Sequence, residues 1–319
     1  MGFSYSVIPI LKKSRALHRA EFGCLKKVFA LNVTLGCGFA CVYCYARGYA
    51  ISPPKGIVYL YQNLPELIQK ESRLLPRGTP ILFNTASECF QLHPDILDVT
   101  YRTMAILLHR GFNIGFLTKG VVPEGFKRLF SRHVNQLQAT IDVVSLNEDY
   151  CRLFEPAAPS GLARIEGAMR LCKWGLKPRA RIDPLIPFYS DTEESFKPLL
   201  KAIKECGIKE VILNYLQLRP RIIERLQKEL PSWVSKQILS CFPKESWDTV
   251  GSKTLSRLIP LPMRKRGYEN IKKQAEKLGL KVIVCRCKNP DLDFTDACLP
   301  RWFKLEKPKK IYQPRLFEN

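Results

Sequence analysis

The sequence predicts an α/β fold built on a parallel sheet. Short β-branched runs recur from Val28 to Leu216, longer runs with helical spacing separate them, and Gly or Pro punctuates the joins. The strand candidates are "VFALNVT" (28–34), "PILFNT" (80–85), "FNIGFLT" (112–118), "QLQATIDVVSL" (136–146), "PRARIDPLI" (178–186) and "EVILNYL" (210–216). Six such units are fewer than the eight that close a full barrel of roughly 250 residues. An incomplete barrel and an open doubly wound sheet both satisfy the pattern, and in either the chemistry belongs at the carboxyl ends of the strands.

The intervening segments carry helix signals. In "PDILDVTYRTMAILLHRG" (94–111), Ile96, Val99, Met104 and Leu107 recur near helical spacing and Gly111 supplies the stop. "DTEESFKPLLKAIKECG" (191–207) opens on an Asp191-x-x-Glu194 cap signal and closes on Gly207. After Leu218 regularity weakens through residues 239–267, and a helix-strand pair follows in "YENIKKQAEKLGLKVIVC" (268–285). The expected organisation is a basic amino-terminal extension over 1–27, a core over 28–220, and a carboxyl-terminal extension over 221–319 packed on that core.

A chain of 319 residues with 46% apolar content can bury a substantial core. It has no run of about 18 uncharged apolar residues and no signal-peptide order at its amino terminus, so a cytoplasmic protein without membrane contact is expected. Its 51 Lys and Arg against 29 Asp and Glu give a net charge of +22, a field that attracts polyanions such as nucleic acid. The 12 cysteines are too unevenly placed for a secreted disulfide scaffold, and reduced thiols, some of them binding metal, are the expected state.

Directly after the first strand candidate, "CGFACVYC" places Cys37, Cys41 and Cys44 in C-x3-C-x2-C spacing. A structural zinc site is closed by four protein ligands, and neither His18 nor Cys24 lies at the spacing that completes one here. Three thiolates suit a [4Fe-4S] cube, whose fourth iron then stays open for a non-protein ligand.

This loop resembles the cluster loop of the radical S-adenosylmethionine (SAM) superfamily, including the aromatic Tyr43 just before the third cysteine. The blocks "CVYCYAR", "NTASECFQLHPDILDVTYRTMAILLHRGFNIGFLTKG" and "SLNEDYCRLFEPAAPSGLARIEGAMRLCKWGLKPRARIDPLIP" are similar to its spore photoproduct lyase-like branch, over roughly residues 28–220. The resemblance implies a partial (β/α)6 barrel and SAM chelated to the open iron. It also implies reductive cleavage of SAM to methionine and a 5'-deoxyadenosyl radical that abstracts hydrogen from a substrate. A reductant such as flavodoxin or ferredoxin would supply the electron.

The same resemblance gives roles to residues at successive strand ends. Ser87 and Glu88 stand where the superfamily holds the methionyl ammonium. Thr118 and Lys119, with Ser145 and Asn147, are expected to point toward the ribose and carboxylate of SAM, and Tyr43 lies beside the cluster. Arg181 is suited to the SAM carboxylate, although either it or Arg179 is free to face solvent across Ala180. Glu155, before Pro156, reads as a cap or as an ion pair with Arg164. One departure stands out: photoproduct lyases carry a hydrogen-donating cysteine immediately before the serine of the S-x-N block, and this chain has Val144 there. That puts thymine-dimer repair in doubt, and Cys151 is expected to be a buried, inert thiol.

"VCRCKNPDLDFTDACLP" adds Cys285, Cys287 and Cys298, a compact set of soft ligands. A second iron-sulfur cluster or a zinc ion fits them, with Cys24 or Cys241 as a distant fourth ligand, and so do free thiols or a redox pair. Basic segments at 127–133, 257–268 and 301–315 interleave Lys and Arg with aromatic residues that can stack on bases, or else are solvated faces. The preferred functional reading is hydrogen abstraction from a nucleic acid substrate for repair or modification. Its rival is a non-enzymatic iron-sulfur or zinc protein that binds nucleic acid.

Overall fold

The computed structural model of the chain describes residues 5–20, 23–26, 28–244, 247–250, 255–296 and 298. The basic segment 301–315 and residues 1–4 of the amino-terminal extension lie outside the described residues.

The principal sheet contains β1 (His18–Arg19), β2 (Phe29–Leu31), β3 (Pro80–Phe83), β4 (Asn113–Thr118), β5 (Leu137–Asp142), β6 (Arg179–Leu185), β7 (Glu210–Tyr215) and β8 (Lys281–Val284). Its spatial order is the chain order, β1 to β8. β2 to β8 run parallel, and β1 is an antiparallel edge on β2. This topology decides between the two architectures. A doubly wound sheet needs a point where the strand order reverses, whereas here each strand is laid down on the same side of its predecessor. Right-handed crossovers then put every helix on one face, and a twisted sheet covered on one face curls into a barrel wall.

Each of the six strand candidates yields a strand, and the sheet adds a seventh parallel one. β8 pairs with β7 from Glu210↔Lys281 to Leu213↔Val284, fed by the helix Leu261–Lys277, so the carboxyl-terminal helix-strand pair is a further βα unit of the same wall. Among the described residues no ladder joins β8 to β1 or β2, and the barrel is open along that side.

The outer layer follows the helical spacing. Pro94–His109 buries Ile96, Val99, Met104 and Leu107 and ends at Gly111, whose φ of +80° is the left-handed conformation that stops a helix. The expected cap on Glu193–Glu205 does not form: Thr192 occupies the cap position without a side-chain bond. Asp191 instead accepts from the Phe188 N–H at 2.8 Å and the Tyr215 hydroxyl at 3.0 Å, tying the loop to β7. Between wall and helices, edge-to-face contacts link Phe90, Phe116, Phe126, Phe130 and Trp174. A small sheet of Ser6–Ile10, Ile57–Tyr61 and Thr34–Leu35 flanks the loop that follows β2. Among the described residues no helix is long and apolar enough to cross a membrane.

Candidate active site

The cysteine loop leaves the carboxyl end of β2 and is fixed from several directions. The Gly38 N–H donates to Gln91 Oε1 at 2.6 Å and the Val42 N–H to the Phe154 carbonyl at 3.0 Å. Ala40 adopts a left-handed φ of 52°. Arg47 holds that strained turn, donating through Nη1 to the carbonyls of Ala40 and Cys41 at 3.1 Å each while pairing with Glu229 at 2.7 Å. A Cβ on Gly38 would stand 2.4 Å from the Tyr5 ring, so any larger residue requires the loop or the ring to shift.

Cys41 is buried, while Cys37 and Cys44 are half-buried and line a cavity of about 240 Å³ with Asn32, Thr34 and Ala86. Burial pushes the Cys37 and Cys41 thiols well above the ordinary thiol range, with neighbouring Cys41 and Glu88 adding for Cys37 and Glu155 for Cys41. Such thiols become thiolates when cationic metal takes them. Cys37 and Cys44 at the cavity, with buried Cys41 in the same loop, are a soft donor set that fits an iron-sulfur cluster.

Inside the barrel mouth lies a chain of buried charges. Lys119 Nζ stands 2.7 Å from Asp142 Oδ1 and 3.2 Å from Glu155 Oε1, and Arg164 closes on Glu155 Oε2. Arg181 pairs with Asp183, which also receives Lys288 Nζ at 2.7 Å. Burial alone would raise the Glu155 pKa, but Arg164 and Lys119 overcome it and hold it at about 2. Arg181 and Lys288 do the same for Asp183, also to about 2. Asp142 behaves oppositely: burial outweighs Lys119, Asp183 adds to the rise, and the pKa climbs to about 6.

Of the residues expected to meet SAM, several are engaged by the chain itself. Glu88 accepts from the Thr118 hydroxyl at 2.8 Å, the N–H groups of Phe90 and Lys119 at 2.9 Å each, and Asn84 Nδ2 at 3.1 Å. Glu88 and Thr118 thus brace the end of β3 against the end of β4. Lys119 is held by Asp142 and Glu155, and the Tyr43 hydroxyl donates to Glu155. Asn147 caps the helix Glu148–Phe154 through the N–H groups of Asp149 and Tyr150, and Ser145 Oγ accepts from the Asn147 N–H at 3.1 Å. Ser87 is half-buried, its Oγ 3.5 Å from Asn32 Oδ1 beside the cavity.

The expectation that Arg179 or Arg181 faces solvent is corrected. Residues two apart share a strand face, and both arginines are enclosed, Arg181 on Asp183 and Arg179 on Glu210 at 2.9 Å. The stacking role of two basic segments is also corrected. Phe130 is 0% exposed within the aromatic core, and Tyr268 is 0% exposed with its hydroxyl donating to Asn289 Oδ1 at 3.1 Å, so neither ring can receive a base.

Sequence reasoning missed Asn32, Asn84, Asp142, Asp183, Asn214 and Lys288. For Asn32 and Asn84 the signal was a polar residue directly after a short apolar strand; Asp142, Asp183 and Asn214 sit in the carboxyl-terminal halves of strands that carry other polar residues, and Lys288 follows the last strand in a short turn. Asn84 Oδ1 and Asn214 Oδ1 are buried without a hydrogen-bond partner. Buried polar atoms are normally paired, and these two stand out for lacking a partner beside the strand ends.

The fold and the cysteine loop together define the architecture: a partial parallel barrel with a three-thiol loop after its first parallel strand. The particular likeness is to spore photoproduct lyase. A variant of that enzyme holding AdoMet and a dinucleoside spore photoproduct superposes with a TM-score of 0.66 at 14% identity, over 86% of this chain and 81% of that one. SuiB of Streptococcus suis superposes with a TM-score of 0.50 at 11% identity, over 83% of this chain and 53% of that one. In sequence, the chain is 23% identical to the uncharacterized protein ORF301 of Acidianus two-tailed virus, over 70% of this chain and 79% of that protein. It is 24% identical to the uncharacterized protein MJ0683 of Methanocaldococcus jannaschii, over 52% of this chain and 63% of that protein. No protein-family profile matches the chain.

Proposed function

We propose that the protein is a radical SAM enzyme whose Cys37, Cys41 and Cys44 carry a [4Fe-4S] cluster. The observation that carries this reading is the three-thiol loop at the carboxyl end of a parallel half-barrel, beside a cavity of about 240 Å³. Held by Cys37, Cys41 and Cys44, such a cluster would supply one-electron reductive cleavage of SAM and so hydrogen abstraction from a substrate, with the electron drawn from a small carrier of the flavodoxin or ferredoxin kind.

The chain's own residues hold and orient. Ser87 and Asn32 stand beside the cavity as polar partners for the methionyl end of SAM. The buried pairs of Lys119 with Asp142 and Arg181 with Asp183 line the mouth and keep its charges balanced. Glu155 ties Tyr43 of the cysteine loop to Arg164 on the helix Gly161–Lys173.

The substrate class we favour is nucleic acid, supported by the net charge of +22. Thymine-dimer repair by the lyase route is not favoured: Val144 is apolar and 1% exposed, and Cys151 is buried with its Sγ 3.9 Å from the Ser145 carbonyl. Anaerobic reconstitution, reduction and addition of SAM should release 5'-deoxyadenosine, and its absence from protein carrying four irons would overturn the assignment. Nucleic acid binding should weaken linearly in log affinity against log salt. Affinity indifferent to salt would remove the nucleic acid part and leave the SAM chemistry standing.

A further inference from the structure

A second cysteine group lies apart from the loop of Cys37, Cys41 and Cys44. Cys24 sits in the connection between β1 and β2, at one edge of the sheet, and Cys285 directly follows β8, at the opposite edge. With Cys287 and Cys298 their sulfurs close a ring. Cys24 lies 3.0 Å from Cys298, Cys298 3.3 Å from Cys285, Cys285 3.1 Å from Cys287, and Cys287 3.6 Å from Cys24. We propose that this ring is a structural zinc site of four thiolates that staples together the two edges of the open barrel.

The spacing selects this chemistry over its rivals. A disulfide places two sulfurs about 2.05 Å apart and leaves each with one close partner, whereas here every sulfur has two neighbours at 3.0 to 3.6 Å. One tetrahedral zinc with Zn–S bonds of about 2.3 Å sets all its sulfurs about 3.8 Å apart, so the four edges need to open by under about 1 Å each while Cys287 moves toward Cys298, from which it lies beyond 4.8 Å. A [4Fe-4S] cube interposes irons and sulfides between its ligands and demands far wider spacing. The sulfurs of Cys24, Cys285 and Cys298 all lie within 4.8 Å of one another. Four soft thiolates are the donor set of a closed, structural zinc site.

The surroundings hold the ligands in place. Cys285 is 1% and Cys298 9% exposed, packed on Ile212 and Ile283. Arg179 Nη1 donates to the Cys298 carbonyl at 2.7 Å, placing a cation beside a site whose four thiolates outweigh the zinc charge. The Asn289 N–H and Nδ2 both donate to the Cys285 carbonyl at 3.1 Å. The staple spans 263 residues between Cys24 and Cys287, so it restrains the unfolded chain strongly. It also fixes Lys288, the neighbour of Cys287, on Asp183 in the barrel mouth. This site stands independently of the SAM reading, because no ligand is shared with the other loop.

The test uses the full chain with Cys37, Cys41 and Cys44 all replaced by Ala, so that metal in the other loop does not contribute. Metal analysis should find one zinc per chain, no acid-labile sulfide, and a tetrahedral tetrathiolate absorption spectrum after cobalt replacement. Adding Cys24→Ser should remove the zinc, while adding Cys241→Ser should leave one per chain. Iron with sulfide in this variant, metal-free protein with two disulfides, or full zinc retained after Cys24→Ser would each overturn the proposal. If Cys24→Ser fails to fold, the cobalt spectrum of the parent still decides, since a spectrum without thiolate bands overturns it.

Discussion

Arg164 and Glu155 form an ion pair in which each side chain is only 1% exposed. The pair joins the end of the helix Glu148–Phe154 to the helix Gly161–Lys173. Because Glu155 also accepts from Tyr43, the pair is the inner anchor of the cysteine loop.

Arg164→Leu should destabilise the protein by roughly 3–5 kcal/mol, since removing one partner strands the other charge in a dry site. Urea unfolding of the variant measures this. A loss below about 1 kcal/mol would mean that Lys119, 3.2 Å from the same carboxylate, holds Glu155 unaided.

Acid should act on these charges with two signs. Glu155 and Asp183, held at about 2 against 4.5 and 3.8 for the free groups, contribute stability that is fully present above pH 4.5 and is lost as the pH falls toward 2. Asp142, raised to about 6 from 3.8, binds its proton first in the folded chain, so it adds stability as the pH falls from 6 toward 3.8. Glu155→Gln should flatten the acid limb, and Asp142→Asn should abolish the gain below pH 6. Unfolding free energies measured from pH 7 to 3 check both signs.

Replacing any of Cys37, Cys41 or Cys44 by Ala should leave anaerobically purified protein without its brown chromophore and without 5'-deoxyadenosine formation. The far-ultraviolet circular dichroism should be unchanged, because the loop lies outside the regular elements of the wall. Residual SAM cleavage at more than a few per cent of the parent rate counts against the three-thiol assignment.

Gly38→Val should lower iron incorporation severalfold without touching a ligand, because its Cβ would stand 2.4 Å from the Tyr5 ring and the loop must shift. Iron content after reconstitution, compared with the parent chain, reads this directly. Full incorporation would show that Tyr5 yields instead.

The sequence by itself determined what is local. Alternating strand and helix patterns located all six expected strands, the periodicity of residues 94–111 placed the buried face of that helix, and the spacing of Cys37, Cys41 and Cys44 marked the loop at a strand end. These features depend on neighbours within a few residues, where side-chain period and turn chemistry leave few choices.

Tertiary structure decided what depends on partners far along the chain. The monotonic strand order made a barrel of a pattern that equally fits an open sheet, and β8 joined the wall by pairing with a strand about seventy residues earlier. Glu88, Lys119 and Asn147 carry the residue types of a ligand site, yet the packing of strand ends and one helix start engages all three within the chain. Cys24 became the neighbour of Cys298 across 274 residues, while Cys241, closer in sequence, did not. The physical reason is common to all of these: a polar group's role is set by which donors and acceptors the folded chain brings within about 3 Å, and sequence spacing specifies that only when the partners are local.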